Sequence, residues 1–400
     1  MTRLRQYIDV LTHETPMIRS RTSLKLSSFH WFLLATFVSA VGRNSYNIAC
    51  SWLLAASGGG VAVVATFFII SSVTEMVASP VCGWICDRYD RRRLAIIADC
   101  FRASAAVALG LLVSLENFHW YVLVSTLVFA TCDRLSLTAM QSMIPHVAKR
   151  HSLPVANSAT FFFMQVGSLV AAASMGLILF VSTPAVSFWG MALCFAGSVL
   201  AMMFMAWERK AGTAISDQSS SVLCISAPLL RLGLIYSTLY LGGLLISAVG
   251  PTFVFEELQG NALDFGHLES AWSAGSILGA VLLIPFARVA KPITLQFIVL
   301  LITAVAFASI KLSSFPWALL AVCVIGASYN LGRVAIEVAL QSIVPHAALG
   351  RAKGLLHCSA MGFGVASLGL IASFPDGFWP TTIFLTYSAL VSMVGLALRR

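Results

Sequence analysis

The sequence is poor in charge. Asp, Glu, Lys and Arg make up 10 % of its 400 residues, where a soluble domain carries about 25 %. A water-soluble fold would lack the polar surface to cover itself, so soluble enzymes and nucleic-acid-binding domains are excluded. Acids are scarcer than bases, 16 against 25, which leaves a net charge of +9. In a chain this apolar, the excess points to basic loops held on one side of a membrane, not to a nucleic-acid partner. Also missing are a G-x-x-x-x-G-K-[ST] run, which an ATP-driven pump would need, and the H-E-x-x-H and G-x-S-x-G patterns of hydrolases. The chain therefore reads as a non-enzyme with no catalytic residues and no cofactor. The nine cysteines are scattered through apolar runs. Cys82 and Cys86 are four apart, but no second pair or His cluster completes a metal site, so they read as small apolar side chains. No secretory signal peptide is expected. The first apolar run, 29–55, is too long for one, and further spans follow it.

What the chain has is long apolar runs. It is 58 % hydrophobic, with a mean hydropathy of +0.88. Breaking it at charges, Pro and Gly clusters gives twelve segments: 29–55, 61–85, 94–115, 118–142, 155–181, 184–207, 229–255, 266–288, 292–311, 315–342, 353–374 and 378–398. Each can cross about 30 Å of hydrocarbon as a helix. The expected class is an all-α integral membrane protein with twelve transmembrane helices. With the N-terminus inside, nineteen of the 25 basic residues fall in inner segments. Lys311 alone is outside, and Arg43, Arg102, Arg134, Arg231 and Arg333 lie within spans. That asymmetry fits the positive-inside rule and checks the span count, because one missed span would scramble every later loop. It places both termini in the cytoplasm.

A phrase is repeated at half-chain spacing. Residues 139–146 read AMQSMIPH and residues 339–346 read ALQSIVPH. They fall at the inner ends of spans 4 and 10. In the same frame Arg88 aligns with Arg288, and Phe129 with Tyr329. Two six-span halves related by a parallel repeat form a transporter architecture, with substrate bound between them. The expected division is a cytoplasmic tail at 1–28, one half at 29–207, a Ser-rich cytoplasmic linker at 208–228 and a second half at 229–400.

The loop after span 2 reads GWICDRYDRRRL, from Gly83 to Leu94. It resembles the cytoplasmic signature of the major facilitator superfamily, in which a Gly is followed after three residues by Asp-Arg, then a Gly and basic residues. Gly83, Asp87, Arg88, Arg91 and Arg92 match that pattern. Asp90 stands where the family has its turn Gly; Asp tolerates left-handed geometry and can cap the following helix. The DRYDRR run, the SAVG…IACSWL pattern of span 1, the Asp99–Arg102 pair and IPH…VAN are similar to the branch that includes the enterobactin exporter and macrolide efflux proteins. The resemblance covers the whole chain. It implies a monomeric secondary transporter of the bacterial inner membrane that exports a siderophore-like or drug-like molecule against protons; the alternatives are an importer of a small metabolite or siderophore on the same fold, or a non-transporting membrane receptor. It further implies a cytoplasmic gate made by Gly83, Asp87, Arg88, Asp90, Arg91 and Arg92. One departure is that span 5 has Gly167 and Gly176 but lacks the Gly-Pro pattern common in antiporters of this family.

The family's cavity is lined by spans 1, 4, 7 and 10, and each shows a polar stripe here. Ionisable groups inside a membrane are costly and are functional candidates by default. Arg43, Asn44 and Asn47 of span 1, Arg134 of span 4, Tyr240 of span 7, and Asn330 and Arg333 of span 10 are the candidate substrate contacts. The arginines would meet an anionic group. Glu75, Asp133 and Glu337 are the candidate proton carriers. The alternative is that these arginines pair internally with those carboxylates; Arg333 and Glu337, four apart, can pair on one helix face. Asp99 and Arg102, three apart, read as a structural pair. Trp272 is a candidate substrate wall. Phe161–Phe163 cannot all face one side of a helix. His146 and His346 read as interfacial residues.

Overall fold

The computed structural model describes residues 27–115, 118–148, 152–207, 226–289, 292–311, 314–344, 349–374 and 379–399. The expected tail and central linker, and Pro345 and His346 of the second repeat, lie almost wholly outside these residues. Within them are twelve long α-helices: α1 Ser28–Leu54, α2 Gly60–Arg88, α3 Arg91–Leu112, α4 Phe118–Val147, α5 Leu153–Val181, α6 Pro184–Phe204, α7 Ala227–Thr252, α8 Ala262–Val289, α9 Pro292–Ile310, α10 Phe315–Ile343, α11 Leu349–Ala372 and α12 Pro380–Arg399. Nine helical stretches among the described residues, one of them the continuous Ser28–Arg88, are long and apolar enough to cross a bilayer.

Local sequence accounts for many helix starts. Helices α5, α6, α7, α9, α10 and α12 carry Pro in their first two positions, where the missing N–H has no helical partner to lose. Helix α3 is capped by Asp90, which accepts a 2.9 Å hydrogen bond from the Arg93 N–H. Several helices outrun their apolar segments. Helix α4 continues past 142 to Val147 with Pro145 inside it, because Pro145 forfeits only the bond to the Gln141 carbonyl, close to the helix end. Helices α1 and α7 each finish in a five-residue π turn, Ala55–Gly59 and Phe253–Glu257. These were not legible as separate elements.

The packing repeats. In the first half α1 lies on α5 and α6, α3 on α4 and α6, and α2 on α4. In the second half α7 lies on α11 and α12, α9 on α10 and α12, and α8 on α10. Adding six to each number converts one set into the other. The halves meet along α5–α8 and α2–α11, two contacts that the same operation exchanges. This is two six-helix halves related by a parallel repeat.

The ends of the bundle differ in charge. One face, called basic below, holds Arg88 and Arg91–Arg93. The other, called acidic, holds Glu256, Glu257 and Asp264. The acidic face is closed. The Trp52 ring of α1 stacks on Phe265 of α8 at 5.7 Å and meets Phe255 edge-on at 5.9 Å. Beside it, α5 and α8 touch through glycines. A Cβ on Gly176 would lie 2.6 Å from the Gly266 Cα, so only glycine lets these backbones meet. A Ser168–Ser273 hydrogen bond of 3.1 Å continues that seam inward. Gly167 serves α5 differently, lying against Phe37 and Ala40 of α1.

Candidate functional site

The first half contains a buried charge network built from three helices. Arg102 of α3 is 1 % exposed. It donates to Asp133 of α4 at 2.8 Å and to Ser39 of α1 at 3.1 Å, and it pairs with Asp99 one turn back on α3. Its guanidinium also lies 4.5 Å from the centre of the Phe195 ring of α6. Arg43 of α1 reaches the second oxygen of Asp133 at 3.7 Å. Two arginines thus meet two aspartates, and the net charge is zero. The spacing of Asp99 and Arg102 announced their pairing. The Arg43–Asp133 pair joins residues ninety positions apart, which no local pattern could show. Of the two readings left open for Arg43, internal pairing is realised with Asp133, though at a long distance.

This network opens onto a small cavity. Arg43, Tyr46, Asn47, Ser71, Glu75 and Asp133 share its wall. Glu75 of α2 accepts from the Ser71 hydroxyl at 3.4 Å and lies within electrostatic reach of Asp133, Arg134 and Arg43. Arg134 donates to Ser79 of α2 at 2.6 Å. Adjacent residues of α4 therefore point apart, Asp133 toward α1 and α3, Arg134 toward α2. Asn44 donates to the Ala40 carbonyl on its own helix at 2.7 Å. The Tyr46 ring stacks on Phe129 at 3.7 Å, with its hydroxyl 2.8 Å from Ser125.

The second half meets this with aromatic rings. Tyr240 of α7 hydrogen-bonds Ser72 of α2 across the halves and senses Glu75. Its ring stands edge-on to His357 of α11 at 6.0 Å, and the Tyr236 hydroxyl lies 3.4 Å from that histidine. Trp272 of α8 sits 5.3 Å from Tyr329 of α10. Arg333 hydrogen-bonds Tyr329 and forms no ion pair with Glu337. The i, i+4 spacing allows that pair, but the ring one turn back claims the guanidinium. Asn330 is 2 % exposed and donates to the Ser276 carbonyl of α8 at 2.6 Å, at the contact between α8 and α10. The structure thus brings Arg43, Asn47, Glu75, Asp133, Arg134 and Tyr240 to facing walls, with Arg333 beside Tyr329; Asn44 and Asn330 hold backbone carbonyls. His357 was not legible in the sequence, because a single ring on an apolar helix carries no period, and Tyr329 stood out only by its alignment with Phe129.

The loop from Gly83 to Leu94 is tied to its own half. Arg91 donates to the Ser142 carbonyl of α4 at 2.9 Å. Arg92 donates to the carbonyls of Met202 and Met203 of α6 at 2.8 and 2.7 Å. Asp90, besides capping α3, accepts from the Trp207 indole at 3.0 Å. Arg88 lies over the Trp84 ring at 4.1 Å, and Asp87 is exposed. A Cβ on Gly83 would meet nothing within 4 Å. Elsewhere, His146 lies 5.8 Å from the Trp207 ring. Phe162 is exposed while Phe163 packs inward, as three consecutive rings must divide. No group of three or more His, Cys, Asp or Glu among the described residues could hold a metal ion.

Residues 32–369 match the family model described as the Major Facilitator Superfamily. No curated protein matches the chain. Solved structures resemble it closely in fold. A mutant of the nucleoside transporter NupG gives a TM-score of 0.76 at 14 % identity, covering 94 % of this chain and 100 % of that one. A bacterial homologue of the iron transporter ferroportin in its inward-facing state gives 0.72 at 14 %, covering 94 % and 99 %. The inward-open xylose transporter XylE from E. coli gives 0.69 at 14 %, covering 93 % and 96 %.

Proposed function

Because the chain belongs to the Major Facilitator Superfamily, we propose that it is a secondary active transporter that exports a small organic molecule by alternating access, in exchange for protons. The proposed setting is the bacterial inner membrane, with both termini cytoplasmic, the chain monomeric, and halves 29–207 and 229–400 as the moving bodies. The observation that carries this reading is the facing of two unlike walls. Arg43, Glu75 and Arg134 stand on one, and Tyr236, Tyr240, Tyr329 and Arg333 on the other, beneath an acidic face that is closed.

Arg43, Arg134 and Arg333 would receive an anionic group of the cargo. Arg43 holds Asp133 at only 3.7 Å, and Arg134 and Arg333 are held by neutral hydroxyls, so each retains capacity for a carboxylate or similar anion. Glu75 is the best placed proton carrier. Its one hydrogen bond is long, and its neighbours include both signs of charge, so rearrangement of Arg43 or Arg134 would change its affinity for a proton. Asp133 is committed to two arginines, and among the described residues Glu337 has no cation within 4 Å. The gate proposed at Asp87 and Arg88 would close the basic face in the opposite state, where charge-assisted bonds can join the halves.

The siderophore-like or drug-like cargo and the outward direction rest on the resemblance of span 1 and the DRYDRR loop. The test is comparison of culture-medium metabolites with and without the gene, in iron-poor and iron-rich medium, followed by counterflow in proteoliposomes under an imposed pH gradient. The expected result is an exported acidic compound whose flux follows the gradient. Uptake into cells would reverse the direction, and flux indifferent to pH would remove the proton.

A further inference from the structure

Glu269 of α8 takes no part in the charge network of the first half. It lies four residues after Phe265 and three before Trp272, so the three share one side of α8. That side turns inward, because Phe265 stacks on Trp52 of α1 and Trp272 meets Tyr329 of α10. The opposite side, with His267, Leu278 and Val281, is exposed to the bilayer. Glu269 is partly buried, and among the described residues it forms no hydrogen bond and no ion pair. The neighbouring Ser270 hydroxyl is buried and equally unpartnered.

The surrounding helices supply no counter-charge. Helices α5 and α9 contain no charged residue. Helix α10 contributes only Arg333 and Glu337, far toward its basic end, α1 contributes Arg43 and α7 contributes Arg231; none is near enough to act on Glu269. A membrane-embedded carboxylate with no cation is costly. One turn below, Trp272 and Tyr329 form a wall, 5.3 Å between ring centres and inclined at 43°. Gly243 of α7 leaves them room, since a Cβ there would lie 3.2 Å from the Tyr329 ring. A carboxylate on the same side of a helix as a paired Trp and Tyr is the chemistry that recognises an ammonium group.

We propose that Glu269, Trp272 and Tyr329 form a subsite for a cationic amine or quaternary ammonium group of the cargo. This rests on the reading of the space between the halves as the cargo site, and it makes the cargo zwitterionic: its cation lies under the closed acidic face and its anion toward Arg134 and Arg333.

The test is equilibrium binding of benzyltrimethylammonium to the purified full chain, with its uncharged isostere neopentylbenzene as comparison. Wild type is expected to bind the cation and to discriminate against the isostere. Glu269→Gln should weaken cation binding roughly 30-fold or more, the size expected for losing one partner of a buried charge pair. Glu269→Asp should restore part of it, and Trp272→Leu should weaken it roughly fivefold. His267→Gln, on the bilayer side of the same helix, should change nothing. Size-exclusion and thermal profiles matching wild type establish that each variant is folded. Equal binding of cation and isostere, an unaffected Glu269→Gln variant, or no cation binding by wild type each overturns the proposal. Loss of pH-driven flux in Glu269→Gln with cation binding intact also overturns it, in favour of a proton site. Failure of wild type to exchange any cargo in counterflow would instead sink the transport reading, since binding is measured without flux.

Discussion

In the first half an arginine is buried between two aspartates; on the matching pair of helices in the second, a threonine bonds a serine. Counted from the starts of α3 and α9, Arg91 and Pro292, Asp99 and Arg102 correspond to Leu300 and Thr303. Thr303 lies 2.9 Å from Ser328 of α10, as Arg102 lies 2.8 Å from Asp133 of α4. The helices outside that contact differ to suit. Gly275 and Gly279 of α8 press against the carbonyls of Cys323 and Ala327 of α10, leaving no room for a Cβ. Two hundred residues earlier the same positions of α2 are Glu75 and Ser79. Their side chains stand between α2 and α4, where Ser79 receives Arg134 and Glu75 lines a cavity. One half is therefore sealed by backbone contact and the other is held by polar side chains. A sealed pair of helices is stiff. A pair joined by charges can change partners, and alternating access needs at least one such place.

This contrast can be broken from either side. The largest effect is expected for Asp87→Ala in the first half's loop, which should abolish flux in proteoliposomes while leaving membrane insertion and fluorescence size-exclusion profiles unchanged. Near-normal flux would remove the gate. Arg102→Leu comes next. It leaves Asp99 buried without its cation, and a loss of about 3–5 kcal/mol is expected in thermal or denaturant unfolding. Gly275→Ala forces α8 away from α10 and should cost about 1–3 kcal/mol, with no cavity able to absorb the methyl group. Thr303→Val, which breaks the Thr303–Ser328 contact between α9 and α10, should cost about 1 kcal/mol. If Thr303→Val proved as damaging as Arg102→Leu, the two halves would be held alike and the contrast would fail.

Much of this architecture was readable in advance. Apolar length placed all twelve helices, and the AMQSMIPH and ALQSIVPH repeat placed their symmetry. Asp90 as a helix cap followed from its place at the turn, and Asp99 with Arg102 from a spacing of three residues, within reach of one helical turn. The cavity was only half legible. Arg43, Glu75, Asp133 and Arg134 stood out because a charge inside a span is conspicuous. Their partners did not, since a helical period gives the direction of a side chain and not the neighbour it meets. Rings were harder still. Tyr329 and His357 are apolar enough to belong anywhere in a membrane helix, Trp272 could be named as a candidate wall but not given its partner, and Glu269 sits near enough to the acidic loop to pass as part of it. The local partners of the basic loop's arginines were not legible either: Arg91 and Arg92 hold carbonyls of α4 and α6.

Hydrophobic length, the side on which the bases fall and the half-chain repeat are properties of the chain alone. They determined a twelve-helix membrane protein in two equivalent halves, because lipid leaves a spanning backbone no alternative to the helix. Which carboxylate answers Arg43, which glycines let α8 reach α5 and α10, and which wall of the cavity is aromatic were decided only by the tertiary structure. Those contacts join residues tens to hundreds of positions apart, and only the packing of one helix on another selects among the partners that each side chain could have met.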